Sequence, residues 1–503
     1  MNEQLAKLFR SAAVYGFGRI AGKVVSFLLI PFYTHYFAPA EYGVMEVLNL
    51  TTMIAAVVLA PGLSTAVMRF YYDSEDSRER NLAISTGLVF TLLIGGFVSV
   101  LAVLFPDWPA QVLLGSTKYR TLVQLASCGF FFSFSSDIGW VHLRGRQRSG
   151  LYTLLTQCSL IASVLLNIYF VSVAKMGIAG VFWVNILVTA VIWAVVVGMS
   201  AREAGMRPSP VKLASLLKFG APLFTVWLAA YVLNYSDRFF LLRFGNIETV
   251  GLYALGYKFA FIISLLVVQP FQLMWEPHAY EISKREDAPG LFSQVFVLYS
   301  VALISMAFIL SLVIPEVFGL IVNARFSTAW RFVPLIAFGY AIQGIGLYFE
   351  AGLLIRKKVV VLSIIGITST TVCLALNFLL IRAWGAWGAA GATFASFVFL
   401  ALVSWRQSIR AFPFHCNFPV LLKALGASLA LLLVGYAVPI QPWPARMVFK
   451  LALITVFLAW ITHLQIIPRG LARSLGREAA QWFRNRLSPL WNWAGAGQGA
   501  SSK

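Results

Sequence analysis

Tyr15-Gly16-Phe17-Gly18-Arg19-Ile20-Ala21-Gly22-Lys23 lies inside the first long apolar segment, Ser11 to Phe37. If that segment spans a bilayer, Arg19 and Lys23 sit near its middle. Being four residues apart, they share one helix face. Gly18 and Gly22 repeat the spacing one step round and let another helix, or a ligand, come close. A cation at that depth costs several kcal/mol unless it faces water, a counter-charge or an anionic ligand. The segment therefore predicts one wall of a helical bundle with a polar interior.

The composition agrees along the whole chain. Of 503 residues, 59% are hydrophobic and only 12% charged, where a soluble domain has roughly one quarter charged. Apolar runs of about twenty residues recur from end to end, the pattern of a polytopic helical membrane protein. The alternation over about ten residues that marks barrel strands is missing. The first apolar run is too long for a signal-peptide core and has no small-residue cleavage site. Cys128, Cys158, Cys373 and Cys416 show no paired spacing, and His35, His142, His278, His415 and His463 are scattered. Neither a disulfide framework nor a metal site is expected. No Gly-rich phosphate loop ending in Lys-Ser or Lys-Thr occurs, so no ATP hydrolysis and no cofactor is expected, and the chain is not read as an enzyme.

Fourteen spans are predicted, beginning near 11–36, 45–70, 82–105 and 121–143 and ending near 420–440 and 446–467. With a cytoplasmic N-terminus, inside segments hold 25 of the 39 lysines and arginines, outside segments 9, and membrane depth 5. That asymmetry fixes orientation, with both termini cytoplasmic, and accounts for much of the +20 net charge without nucleic acid as a partner. All loops are short. The tail from Pro468 places Leu471, Leu475, Trp482 and Phe483 near one helical face among arginines; it is either an amphipathic helix on membrane lipids or a solvated basic tail.

The chain also repeats itself. Leu166-Asn167 followed by Gly177-Ile178-Ala179-Gly180 returns as Leu376-Asn377 followed by Gly388-Ala389-Ala390-Gly391. Pro61 to Tyr71 returns as Pro270 to Tyr280, and Phe37 to Gly43 as Phe244 to Gly251. A repeat unit of six spans enters the membrane twice in the same direction, so the halves are related by a pseudo-two-fold axis along the membrane normal. The expected divisions are an N-lobe over 1–205, a C-lobe over 206–412, two added spans over 413–467 and a basic cytoplasmic tail over 468–503.

Several residues carry a resemblance. Gly18 and Pro31 lie in the first span, Glu41-Tyr42-Gly43 follows it, and Gly62 with Arg69-Phe70-Tyr71-Tyr72 ends the second. Gly220 with Pro222, Ser236-Asp237-Arg238-Phe239-Phe240-Leu241 and Val250-Gly251-Leu252-Tyr253 follow in the second half. With the duplication, these resemble the polysaccharide transporter branch (Wzx-type lipid-linked oligosaccharide flippases) of the multidrug/oligosaccharidyl-lipid/polysaccharide exporter superfamily. The resemblance covers most of Met1 to Trp405. It implies a bacterial inner-membrane protein that moves an undecaprenyl-pyrophosphate-linked oligosaccharide between leaflets by alternating access through a cationic cavity. Membrane lipids are implied partners, and a polysaccharide polymerase and chain-length machinery are further candidates.

A pyrophosphate crossing a low-dielectric layer needs charge-assisted hydrogen bonds in place of its hydration. Arg19, Lys23 and Lys258 are the head-group candidates; the alternative is that they pair with buried acids and brace the lobes. Arg69, at the inner end of the second span, either meets the substrate or anchors that end. Asp137, Glu350, Glu276 and His278 are candidates for an inner gate or ion coupling, against an ordinary inter-helix bridge from an acid to Arg69. Asp237 and Arg238 are the outer-gate candidate. Two other functions compete. An integral-membrane polymerase or glycosyltransferase would want a longer outer loop, and a multidrug exporter would want acids in place of the basic residues at depth.

Overall fold

The computed structural model describes residues 27 and 29–463. Arg19, Lys23, Gly18, Gly22 and the basic tail fall outside the described residues. Helix α1 runs through residue 36, and among the described residues every further element is helical.

Proline and glycine set the punctuation. Pro39 opens α2 (Pro39–Leu59), where its fixed φ suits a first helical turn, and the Glu41 carboxylate accepts from the Ala38 N–H at 2.9 Å. A single second span over 45–70 was expected. Instead α2 starts earlier and breaks at Pro61-Gly62 before α3 (Leu63–Asp73), because Gly62 takes φ +61° and ends the run. The first half continues with α4 (Ser77–Leu104), the short α5 (Asp107–Leu114), α6 (Arg120–Gly145), α7 (Ser149–Asn167) and α8 (Gly177–Ala204). The second half holds α9 (Pro210–Phe244), α10 (Ile247–Ala260), α11 (Gln269–Ile282), α12 (Ala288–Ile321), α13 (Val333–Ile355), α14 (Val359–Leu376) and α15 (Arg382–Ala411). Two added helices follow, α16 (Phe418–Ala437) and α17 (Trp443–His463).

Eleven helical stretches are long and apolar enough to cross a membrane among the described residues. One of them, Val359–Ala411, holds two spans that part at Gly385, whose φ of +54° lies outside the helix. With α6 and the first span, this gives the fourteen-helix layout. Outward faces are apolar: Leu93, Phe97, Leu101 and Leu104 recur every three or four residues on α4 and are all exposed, a stripe that only lipid would cover.

The duplication is visible in the backbone. Helix α7 widens into a π-helix over Ile168–Val173, directly after Asn167, and α14 does the same over Asn377–Ile381. Each asparagine bonds to the opening span of its half, one as acceptor and one as donor. Tyr33 of the first span donates to Asn167 Oδ1 at 3.0 Å, and Asn377 Nδ2 donates to Ser236 Oγ of the seventh span at 3.0 Å. Pro61 and Pro270 each mark the break in the second span of their half, α2/α3 and α10/α11, the latter with a π-helix over Ser264–Val268.

Within the first half, α4, α6 and α8 pack together, with α3 and α7 against them; within the second, α13 packs on α12 and α15, and α14 on α9 and α15. The halves meet where α2 lies on α10 and α9, and where α3 and α4 lie on α9. Two glycine pairs make these crossings close. A Cβ on Gly43 would overlap the Ile247 carbonyl oxygen, and one on Gly251 would overlap that of Pro39, so α2 and α10 touch reciprocally, backbone to backbone. At the other crossing a Cβ on Gly62 would lie 2.7 Å from the Gly220 carbonyl oxygen. The added hairpin docks on α12 through a buried carboxylate: Glu316 accepts from Lys450 Nζ at 2.6 Å and pairs with Arg446 Nε at 2.9 Å.

Candidate functional site

A cavity of about 870 Å³ opens between α2, α3, α6, α8 and α9. Along α6 its lining runs from Ala126 to Arg144, which at 1.5 Å per residue is about 27 Å, close to the thickness of a bilayer's hydrocarbon core. Most of the wall comes from the first half, with Phe224 and Trp227 of α9 contributed by the second.

Two arginines occupy one end. Arg69 on α3 donates from Nε to Asp73 at 3.2 Å, and its guanidinium lies 4.5 Å from the centre of the Phe219 ring on α9. Only one of its five N–H donors is taken among the described residues. Arg144, in the last turn of α6, makes no side-chain hydrogen bond among the described residues. Its neighbours do: Arg146 and Arg148 both pair with Glu203 at the end of α8, at 3.0 and 2.7 Å. Of three arginines that look alike in the sequence, only Arg144 lines the cavity. Asp137, one helical stretch deeper on α6, accepts from the Ser64 hydroxyl. Among the described residues the lining thus carries two cations against one acid.

The other candidates lie elsewhere. Lys258 does not line this cavity. It crosses between the halves, donating from α10 to the Glu46 carboxylate on α2 at 2.9 Å and to the Tyr42 hydroxyl at 3.0 Å. Glu46 is 7% exposed, and Tyr42 packs edge-on against Phe326. Lys258 therefore braces the interface, the alternative left open for it. Glu46 was missed, although a lone acid in the apolar run after Glu41 needed a partner.

The direct partners of the outer-gate candidates, Asp237 and Arg238, come from the second half, while Glu46 of the first half lies within electrostatic reach of Arg238. Arg238, 1% exposed, donates to Asp237 at 2.6 Å and stacks 3.6 Å from the Tyr257 ring centre. Asp237 also accepts from Tyr253 at 2.6 Å and Thr393 at 3.3 Å, all within α9, α10 and α15. Of the inner-gate candidates, Asp137 is bonded to Ser64, and the alternative, a bridge from one of these acids to Arg69, is not formed among the described residues, since Arg69 pairs with Asp73. Glu276 lies within electrostatic reach of Glu350 in the second half, and His278 is bonded to Met274 O of its own helix at 2.8 Å. Only Asp137 of that group meets the cavity.

No group of three or more His, Cys, Asp or Glu side chains that would hold a metal occurs among the described residues.

Known proteins share both the sequence and the fold. Residues 8–283 match the family described as polysaccharide biosynthesis protein. A Haemophilus influenzae protein named Lsg locus putative protein 1 is 24% identical over 321 residues, covering 62% of this chain and 75% of its own. An uncharacterized membrane protein of the same organism is 25% identical over 319 residues, covering 61% and 74%. Among solved structures, the lipid II flippase MurJ in an inward closed conformation aligns with TM-score 0.72 at 14% identity, covering 91% of this chain and all of that one. A multidrug resistance MATE family transporter of the MOP superfamily, inward-facing, aligns at 0.61, also at 14% identity, over 80% of this chain and 96% of its own. With the family match spanning more than half the sequence and the motifs and duplicated helical fold agreeing with it, this multi-pass membrane protein belongs to the polysaccharide biosynthesis protein family.

Proposed function

We propose that the chain flips an undecaprenyl-pyrophosphate-linked oligosaccharide, a precursor of O-antigen, capsule or exopolysaccharide, from the cytoplasmic to the periplasmic leaflet of a bacterial inner membrane. The observation that carries this is the cavity. It runs most of the membrane's depth between helices of both halves, and ends in two arginines whose donors are largely free. A diphosphate offers several strong acceptors to such donors, and two cations hold it without caging it, so release stays possible. The bilateral construction supports alternating access: rocking one six-helix half against the other opens the cavity to either side in turn. Both termini then lie in the cytoplasm, and Arg69 and Arg144 face the leaflet in which the cargo is made. Where the outside-facing end is closed, Lys258 and Glu46 hold it.

The test is complementation in a host lacking its own flippase. Lipid-linked oligosaccharide is followed by leaflet, with wild type, Arg69→Ala and Arg144→Ala as the restored proteins. Rescue of cytoplasmic-leaflet accumulation by wild type, reduced in expressed arginine variants, is expected. If intermediates reach the periplasm without this chain and merely fail to polymerise, the protein acts as a polymerase and the flippase assignment is wrong.

A further inference from the structure

The middle of the cavity has a chemistry different from its arginine end. Asn49 on α2 and Asn185 on α8 both line it, with Thr52 and Ser133 nearby. Neither asparagine's carboxamide makes a hydrogen bond among the described residues. Thr52 is turned away, donating to the Asn49 backbone carbonyl at 2.9 Å. The asparagines at the π-helices behave otherwise: Asn167 donates to Ser163 O at 2.7 Å and Asn377 to Ser236. A carboxamide facing hydrocarbon without a partner carries a desolvation cost, so free amides at mid-membrane are retained where water or a ligand completes them. The fold also makes room for one of them. A Cβ on Gly129 would overlap Asn185 Oδ1, so the glycine is what lets that amide stand in the cavity wall.

A carboxamide presents a donor and an acceptor side by side, a match for neighbouring hydroxyls or an acetamido group. From the other half, Trp227 and Phe224 offer aromatic surface for the apolar face of a sugar ring. Along α6 the amide level at Gly129 and the arginine end at Arg144 are about 22 Å apart, room for a head group of several rings.

We propose that Asn49 and Asn185 are specificity-determining residues that read the hydroxyl or acetamido groups of the cargo's sugars, while Arg69 and Arg144 take its diphosphate. This rests on the flippase assignment and divides the cavity into a sugar-selecting middle and a phosphate end. Purified full-length protein in nanodiscs tests it with two probes, bare undecaprenyl pyrophosphate and the undecaprenyl-pyrophosphate-linked oligosaccharide extracted from the source cells. Wild type is expected to bind the glycosylated probe about tenfold tighter than the bare one. Asn49→Leu and Asn185→Leu should remove that preference and leave the bare lipid's affinity unchanged, while Arg69→Ala and Arg144→Ala weaken both. Where Asn185→Leu misfolds against Gly129, Asn185→Ala is the second variant. If the asparagine variants keep the preference, or lose both probes equally, the sugar assignment falls and the flippase assignment stands. Failure of wild type to bind either probe would overturn both.

Discussion

Replacing Lys258 with methionine removes the only cation paired with Glu46 among the described residues, and strands a carboxylate that is 7% exposed. Leaving one partner of a buried ion pair alone costs about 3–5 kcal/mol. The Lys258 side chain is 38% exposed, so water reaches this pair and the cost falls toward about 2 kcal/mol. Glu46→Gln should cost less, because the ammonium it leaves behind can be hydrated. The double variant should cost less than the two singles together, with a coupling of about 1–2 kcal/mol. Since Glu46 rides on α2 and Lys258 on α10, the loss falls on the arrangement in which the halves touch there. About 2 kcal/mol is roughly a thirtyfold shift in that equilibrium. Thermal unfolding of the four proteins gives the cycle. Spin labels at Lys118→Cys and Glu248→Cys, one on each half and in a background without native cysteines, report the separation. Single effects that add to within about 0.5 kcal/mol, with an unchanged distance distribution, would refute the latch.

Gly43→Leu and Gly251→Leu should each abolish complementation in inserted protein, because any side chain meets a carbonyl of the opposite helix; Gly198→Ala, with open space around it, should be silent. Lys450→Met should lower the melting temperature by leaving Glu316, whose side chain is 1% exposed, short of a partner at about 3–5 kcal/mol, whereas replacing Glu316, Arg446 and Lys450 together by apolar residues should be near neutral. Arg238→Gln should destabilise the second half with no selective change in access to the cavity, which cysteine labelling at Ser133→Cys would report; a selective change would mark the pair as a gate. In the turn before α16, burial pushes the Cys416 thiol up from 9.0 to about 11. The neutral buried thiol carries no ionisation penalty below pH 9 and a growing one as pH rises toward 11, so maleimide at pH 7.5 should label it more slowly in the folded protein than after unfolding.

The layout was readable because a bilayer imposes long apolar runs, and the duplication because Asn167 and Asn377 hold equivalent π-helices to equivalent spans. Side-chain destinations were not readable. Arg144, Arg146 and Arg148 look the same in sequence, and it is Glu203, more than fifty residues away, that claims two and frees the third. Lys258 looked like a cavity cation because depth alone does not say which way a helix is turned. The surroundings of Asp237 and Arg238 were hidden because their enclosing tyrosines and Thr393 are distant in sequence. Glu46, Glu316, Asn49 and Asn185 were overlooked. Each is a polar residue in a mainly apolar run, and that context was itself the signal that a partner was owed.

The two glycine crossings lie toward opposite ends of α2. From Gly43 to Leu59 the helix rises sixteen residues, about 24 Å, before the turn that carries Gly62, so the halves bear on each other at two backbone points set most of a membrane apart. A beam resting on two fulcrums does not tilt until it leaves one of them. Pivoting ten degrees about either contact lifts the other by about 4 Å, a gap wide enough to admit water and too small to unseat the fulcrum still in use. In the rocking motion proposed above, a stroke parts these backbone contacts and, beside the first of them, the Lys258–Glu46 pair, and the stroke back re-forms both in the same register.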